Sequence, residues 1–77
     1  MDEAFDPLTE SHITKMCANI AISPEFFKQL LLTVTRKRFP VVMENKGWCG
    51  IHEGFKQRLI KDVAGYLRVQ KDLEREN

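Results

Sequence analysis

The chain has 77 residues, a net charge of +1, 43% hydrophobic residues and two cysteines. Its length fits a single domain over residues 1–77, and its hydrophobic content is too high for a compositionally disordered chain. Two cysteines are too few for a secreted disulfide scaffold, and the acidic N-terminus is unlike a signal peptide. No apolar run approaches the 18 residues of a membrane span. We therefore expect reduced thiols and a cytoplasmic protein.

The charge is unevenly distributed along the chain. Residues 1–25 carry five acids and one base, whereas residues 26–58 carry seven bases and two acids. The remaining residues, 59–77, carry four of each. This pattern predicts an acidic start and a basic middle, so the small net charge alone does not exclude a charged partner.

The first predicted helix runs from Pro7 to Ala21, and residues 1–6 are expected to fray. Asp6 suits the N-cap position, and Pro7 suits the first helical position. Apolar residues then recur mostly at intervals of three and four, the spacing of one helix face. They are Leu8, Ile13, Met16, Cys17, Ile20 and Ala21.

The second predicted helix runs from Pro24 to about Lys37. Ser23 suits the cap, and Glu25 suits the positive end of the helix dipole. An apolar face follows, formed by Phe26, Phe27, Leu30, Leu31 and Val34. Pro40 disfavours helical geometry at the preceding residue and so ends the helix. The alternation of β-branched residues over 31–35 leaves a strand as the alternative.

Residues 39–50 contain a proline and two glycines, which predict turns. We expect a short helical turn or an extended segment here that covers part of the core. Such a segment has to bury Val41, Val42, Met43 and Trp48, which are apolar.

The stretch Gly50–Asn77 predicts a long C-terminal helix around which the shorter helices pack. Its apolar positions follow helical spacing and are Ile51, Phe55, Leu59, Ile60, Val63, Ala64 and Leu67. The fold class is therefore all-α, a small bundle of three main helices. The highly charged residues 70–77 are expected to project as a helical end.

Two further features of this helix predict a partner-binding surface. Tyr66, Val69 and Leu73 form a second apolar stripe that the first two helices do not need to cover. Gly54 and Gly65 are eleven residues apart, which places both on one side of a helix. Their bare backbone either packs closely against another helix of the chain or allows a partner to approach.

No catalytic site or cofactor site is predicted. His12, Cys17, Cys49 and His52 are the residue types of a zinc site, but His12 and Cys17 would be about 140° apart on a helix. The chain has no glycine-rich phosphate loop. We therefore expect a protein that is not an enzyme, with no cofactor, metal or small-molecule substrate.

A basic cluster supports a different function, the binding of DNA or RNA. Its candidate contact residues are Arg36, Lys37, Arg38, Lys46, Arg58 and Lys61. The connection of about eleven residues between the second and third main helices is longer than in a helix-turn-helix motif.

Pro40-Val41-Val42, followed by Phe55-x-x-Arg58-Leu59-Ile60, resembles the theta subunit of bacterial DNA polymerase III. The resemblance covers about ten positions and needs a gap, and Trp48 and Cys49 between the two segments depart from it. It implies a small three-helical protein without catalytic activity that binds a larger enzyme. The main hypothesis rests instead on the missing catalytic apparatus, the small core and the second apolar stripe of the last helix. It is an accessory or regulatory protein that binds another protein or itself as a homodimer.

Overall fold

The computed structural model describes the backbone of residues 5–76 and the side chains of residues 5–74. Within residues 5–76 it contains four α-helices, with a 3₁₀ helix at Trp48–Gly50 before the last of them. They are α1 (Pro7–Ile20), α2 (Pro24–Arg38), α3 (Pro40–Asn45) and α4 (Glu53–Glu76). The long helix α4 packs against both α1 and α2. The predicted all-α bundle with three main helices and a long C-terminal helix is confirmed.

Helix α1 begins as predicted and ends one residue early. The Asp6 carboxylate accepts hydrogen bonds from the Thr9 amide at 3.3 Å and from the Thr9 hydroxyl at 2.6 Å. At the other end, Ala21 adopts left-handed geometry, with φ 55° and ψ 51°. Its amide and that of Ile22 both donate to the Cys17 carbonyl, which closes the helix. The predicted fraying concerns residues 1–6. Residues 1–4 lie outside the described residues, and for Phe5 and Asp6 fraying stays a prediction.

Helix α2 confirms the helical interpretation of residues 31–35 over the strand alternative. The Thr33 and Thr35 hydroxyls donate to carbonyls one turn earlier, at 2.9 Å and 2.7 Å. Ser23 occupies the N-cap position, but its side chain makes no capping hydrogen bond. The predicted role of Ser23 as a side-chain cap is therefore wrong, and Pro24 at the first helical position remains as the local signal.

The segment 39–50 takes the first of its two expected forms, a short helix. Pro40 stops α2 and at the same time begins α3. Gly47 then has a positive φ of 75°, a conformation that favours glycine. This turn directs Trp48 into the core, where it is almost completely buried. Val42 and Met43 are partly buried against the core, but Val41 is exposed, so the expectation that the segment buries it is wrong.

The core lies between α1, α2 and α4, with the 3₁₀ helix closing one end. Its buried apolar residues are Ile13, Cys17, Phe27, Leu31, Trp48, Ile51, Leu59, Ile60, Val63, Ala64 and Leu67. Four residues assigned to the apolar faces of the three main helices lie outside it and are exposed, namely Leu8, Ala21, Phe26 and Phe55. Leu8, Phe26 and Phe55 lie in the first turns of their helices, and Ala21 follows the last turn of α1.

Helix α4 begins at Glu53, so Gly54 lies in its first turn rather than in its interior. The His52 imidazole Nδ1 accepts a hydrogen bond of 3.1 Å from the Gly54 amide and caps the helix. Near the other end, the Lys71 ammonium donates to the Ala21 carbonyl at 3.1 Å. No helix within residues 5–76 is long and apolar enough to cross a membrane.

Candidate protein-binding surface

Exposed apolar side chains cluster where α2 and α4 pack against each other. Phe26 of α2 is 55% exposed and Tyr66 of α4 is 56% exposed, and both line one groove together with Leu30. Val69 and Leu73 are also exposed and extend the side of α4 that carries Tyr66. We call these five residues the α2–α4 surface. It contains the predicted stripe Tyr66, Val69 and Leu73.

Two hollows lie along this surface. The larger has a volume of about 490 Å³ and is bordered by the turn before α2 and by the last turns of α4. The smaller, of about 300 Å³, lies nearer the end of α2 and is lined by Val34 and Val63. Leu30 and Tyr66 line both hollows, so these two side chains lie where the hollows adjoin. A bound side chain in either hollow would therefore contact the same tyrosine.

Charged residues border each hollow. At the smaller one, the Arg38 guanidinium lies 3.4 Å from the Asp62 carboxylate, and both side chains are about half exposed. At the larger one, Lys71 and Glu74 line the rim. An exposed ion pair contributes little to folding, on the order of 0.2–1 kcal/mol. An apolar centre with a charged rim is the usual arrangement of a protein-binding surface.

The two glycines of α4 are not sites of close packing within the chain. A Cβ built on Gly65 would meet no other atom within 4 Å. A Cβ on Gly54 would meet only the His52 ring, at 3.4 Å. The interpretation that both glycines pack closely against another helix of the chain is wrong. Gly65 instead opens onto a groove between α1 and α4 that Lys61 and Arg68 also line.

The candidate nucleic-acid contacts are all exposed, on three different elements. Arg36, Lys37 and Arg38 form the last turn of α2, Lys46 follows α3, and Arg58 and Lys61 lie on α4. The ion pair with Asp62 occupies Arg38, which reduces the positive charge available at that point. The structure thus presents these side chains to solvent.

The cysteines and histidines do not come together. Cys17 is buried in the core, and this burial raises the pKa of its thiol, which favours the unreactive protonated form. Cys49 is exposed, and both thiols are free. His52 caps α4 instead of meeting His12. The described part of the chain contains no group of three or more residues able to hold a metal ion.

Phe26 and Leu30 belong to this surface but were predicted from the sequence only as part of the apolar face of the second helix. Phe26 and Phe27 are adjacent and thus about 100° apart around α2. Only one of them can point into the core, and it is Phe27, which is fully buried. The pair of adjacent phenylalanines was a usable signal, because one of the two had to remain at the edge of the core.

Comparisons with protein-family models, with curated proteins and with solved structures find no match. The similarity to the theta subunit of bacterial DNA polymerase III therefore stays a resemblance between short segments.

Proposed function

We propose that this chain is an accessory or regulatory protein that is not an enzyme and acts by binding another protein chain through the α2–α4 surface. The observation that carries the proposal is the pair Phe26 and Tyr66, two aromatic side chains more than half exposed on the same groove. Aromatic residues in the centre of an interface supply a large share of its binding energy.

The size of the patch supports the proposal. A fully buried aromatic side chain removes about 150–250 Å² from water. Phe26 and Tyr66 each leave more than half of their area exposed, so together they offer roughly 200 Å² to a partner. Leu30, Val69 and Leu73 enlarge the patch to the range of about 300–600 Å² that is often functional on a monomer.

Quantitative affinity capture from the native host tests the proposal. The bait is the wild-type chain, and the test variants are Phe26→Gln and Tyr66→Gln, which remove the aromatic contacts with a residue that favours helix. The matched control is Leu8→Gln, because Leu8 is 83% exposed but lies on α1, outside the surface. We expect one set of proteins to bind the wild type and the control and to be lost from both test variants. Equal capture by all four baits would overturn the proposal.

The exposed cations at the last turn of α2 support a second candidate function, the binding of DNA or RNA through Arg36, Lys37, Arg38, Lys46, Arg58 and Lys61. Phosphate contacts make the logarithm of the affinity fall linearly with the logarithm of the salt concentration. Binding to duplex DNA and to single-stranded RNA at about 20 mM salt, lost by about 200 mM, would support this function. An Arg36→Gln, Lys37→Gln variant should then bind more weakly. Absence of binding at low salt would rule the function out.

A further inference from the structure

We propose that the partner bound by the α2–α4 surface is a second copy of this chain, held with the two α4 helices antiparallel. This inference rests on the proposed function and narrows it to self-association. The two-fold axis would cross α4 between residues 67 and 68, so that Tyr66 of each copy lies opposite Val69 of the other.

The spacing of the surface residues along α4 supports a helix as the occupant. Asp62, Tyr66, Val69 and Leu73 follow each other at intervals of four, three and four residues. This is the repeat of a helix that packs along another helix, and the last three members are apolar and exposed. A second α4 presents the same repeat, so the apolar pair Tyr66 and Val69 of one copy can meet Val69 and Tyr66 of the other across a two-fold axis.

The register places an apolar side chain at the smaller hollow. With the axis between residues 67 and 68, Leu73 of the second copy lies level with Asp62. The hollow beside Asp62 is lined by apolar side chains of Leu30, Val34 and Val63, and its volume of about 300 Å³ leaves room for a leucine. Each copy thus offers one exposed leucine and one hollow that can receive it.

The charges at the two ends of the helix pair favour the antiparallel orientation, and they have to offset Arg68, which lies on the side of Lys61 close to the axis and meets Arg68 of the second copy. We call the line of Asp62, Tyr66, Val69 and Leu73 along α4 the seam. Arg38 and Lys61 lie on the two sides of its Asp62 end, whereas Asp72 and Glu74 lie on the two sides of its Leu73 end. In a two-fold antiparallel pair, each side of the seam faces the same side of the other copy. Lys61 then lies on the same side as Asp72 of the second copy, offset from it by two residues or about 3 Å along the axis, and Arg38 lies near Glu74 of the second copy. A parallel pair would bring like charges together at both ends.

The area predicts a weak dimer. Stable interfaces bury about 800 Å² per partner, whereas the apolar patch here is roughly half of that. The charged rim adds area but little affinity, because exposed ion pairs contribute little. We therefore expect a dissociation constant on the order of micromolar to tens of micromolar.

Sedimentation equilibrium of the full chain from about 1 to 500 µM, a range that brackets this expected affinity, tests the inference. The wild type and the Leu8→Gln control should show a monomer–dimer equilibrium. Tyr66→Gln and Leu73→Gln should each raise the dissociation constant of the dimer by about tenfold or more. Circular dichroism of each variant confirms that the helices are retained.

A charge reversal tests the orientation. Lys61→Glu and Asp72→Lys should each weaken the dimer several-fold, and the double variant should restore it. The two residues are eleven positions apart on one helix, about 16 Å along its axis, so this rescue can act only between copies.

The outcomes separate the inference from the proposed function. A wild type that stays monomeric at every concentration, while Tyr66→Gln still loses its captured proteins, overturns self-association and leaves a foreign partner. A dimer that the Tyr66 and Leu73 variants do not weaken overturns the assigned surface. A dimer without charge-reversal rescue overturns the antiparallel register. A wild type that neither dimerises nor captures any protein specifically overturns the proposed function as well.

Discussion

The indole Nε1 of Trp48 donates a hydrogen bond of 3.1 Å to the hydroxyl of Thr9, 39 residues earlier in the chain. The same hydroxyl donates to the Asp6 carboxylate at 2.6 Å. Asp6 caps α1, so one chain of hydrogen bonds joins the helix start to the 3₁₀ helix. Phe5 packs edge-on against the indole, with ring centroids 5.2 Å apart. Thr9 therefore connects the first turn of the fold to the segment that closes its core.

Thr9→Val should destabilise the protein by roughly 1–3 kcal/mol. Valine preserves the shape of the side chain but removes the acceptor of the indole N–H, which is buried and would lose its partner. It also removes one hydrogen bond of the Asp6 cap. Urea unfolding followed by circular dichroism measures the change in the free energy of unfolding.

The control for this prediction is Thr14→Val on the same helix. The Thr14 hydroxyl donates to the Glu10 carbonyl in an exposed position, where water can replace it. Its loss should change the free energy of unfolding by no more than about 0.5 kcal/mol. Equal effects of the two substitutions would show that the hydrogen bond between Trp48 and Thr9 contributes nothing to stability.

The Asp6 carboxyl should make the free energy of unfolding depend on pH under acidic conditions. The hydrogen bond from the Thr9 hydroxyl is the main cause that holds the pKa of Asp6 below its ordinary value of 3.8. The folded state then binds protons less readily than the unfolded state, so the stabilisation is fully present above that value. It is lost as the pH falls through the folded-state pKa. The free energy of unfolding should therefore decrease below about pH 4.

Asp6→Asn isolates this contribution, because asparagine can still cap the helix but does not titrate there. Between pH 6 and pH 2, the variant should lose less stability than the wild type does. The side chain is about one-third exposed, so the difference should be modest. An identical pH profile for the two proteins would contradict the assignment of a depressed pKa to Asp6.

Gly65→Ala should stabilise the protein by about 0.5–1 kcal/mol. Alanine favours a helix interior over glycine, and its Cβ meets no atom within 4 Å at this position. Thermal unfolding at low protein concentration measures the monomer alone.

Gly50→Ala is the opposite case and should destabilise the protein, since a Cβ at this position would lie 2.6 Å from the Cβ of Lys46. A destabilising Gly65→Ala would mean that the groove is narrower than described.

The helices could be predicted because their signals are local. Asp6-Pro7 and Pro24 each mark a helix start, Pro40 marks the end of α2, and the apolar spacing of α4 identifies its buried face. The role of Thr9 could not be predicted in this way. Its partner Trp48 is 39 residues away, and only the packing of the 3₁₀ helix against α1 brings the two together.

The candidate surface was predictable in part, for the same reason. The spacing of Tyr66, Val69 and Leu73 identifies a second face of one helix. That Phe26 joins this face depends on how α2 rotates against α4, which the periodicity of either helix alone does not determine. The burial of Phe27 decides it, because this residue takes the inward position.

Photo-crosslinking in the native host tests most directly whether the α2–α4 surface binds a protein. A benzophenone amino acid replaces Phe26 in one variant and Leu8, the more exposed residue outside the surface, in the other. We predict a discrete protein adduct from position 26 that Tyr66→Gln removes and that position 8 does not form. An adduct of twice the 9.0 kDa chain would identify the second copy. No adduct from position 26, or the same adducts from both positions, would contradict the account.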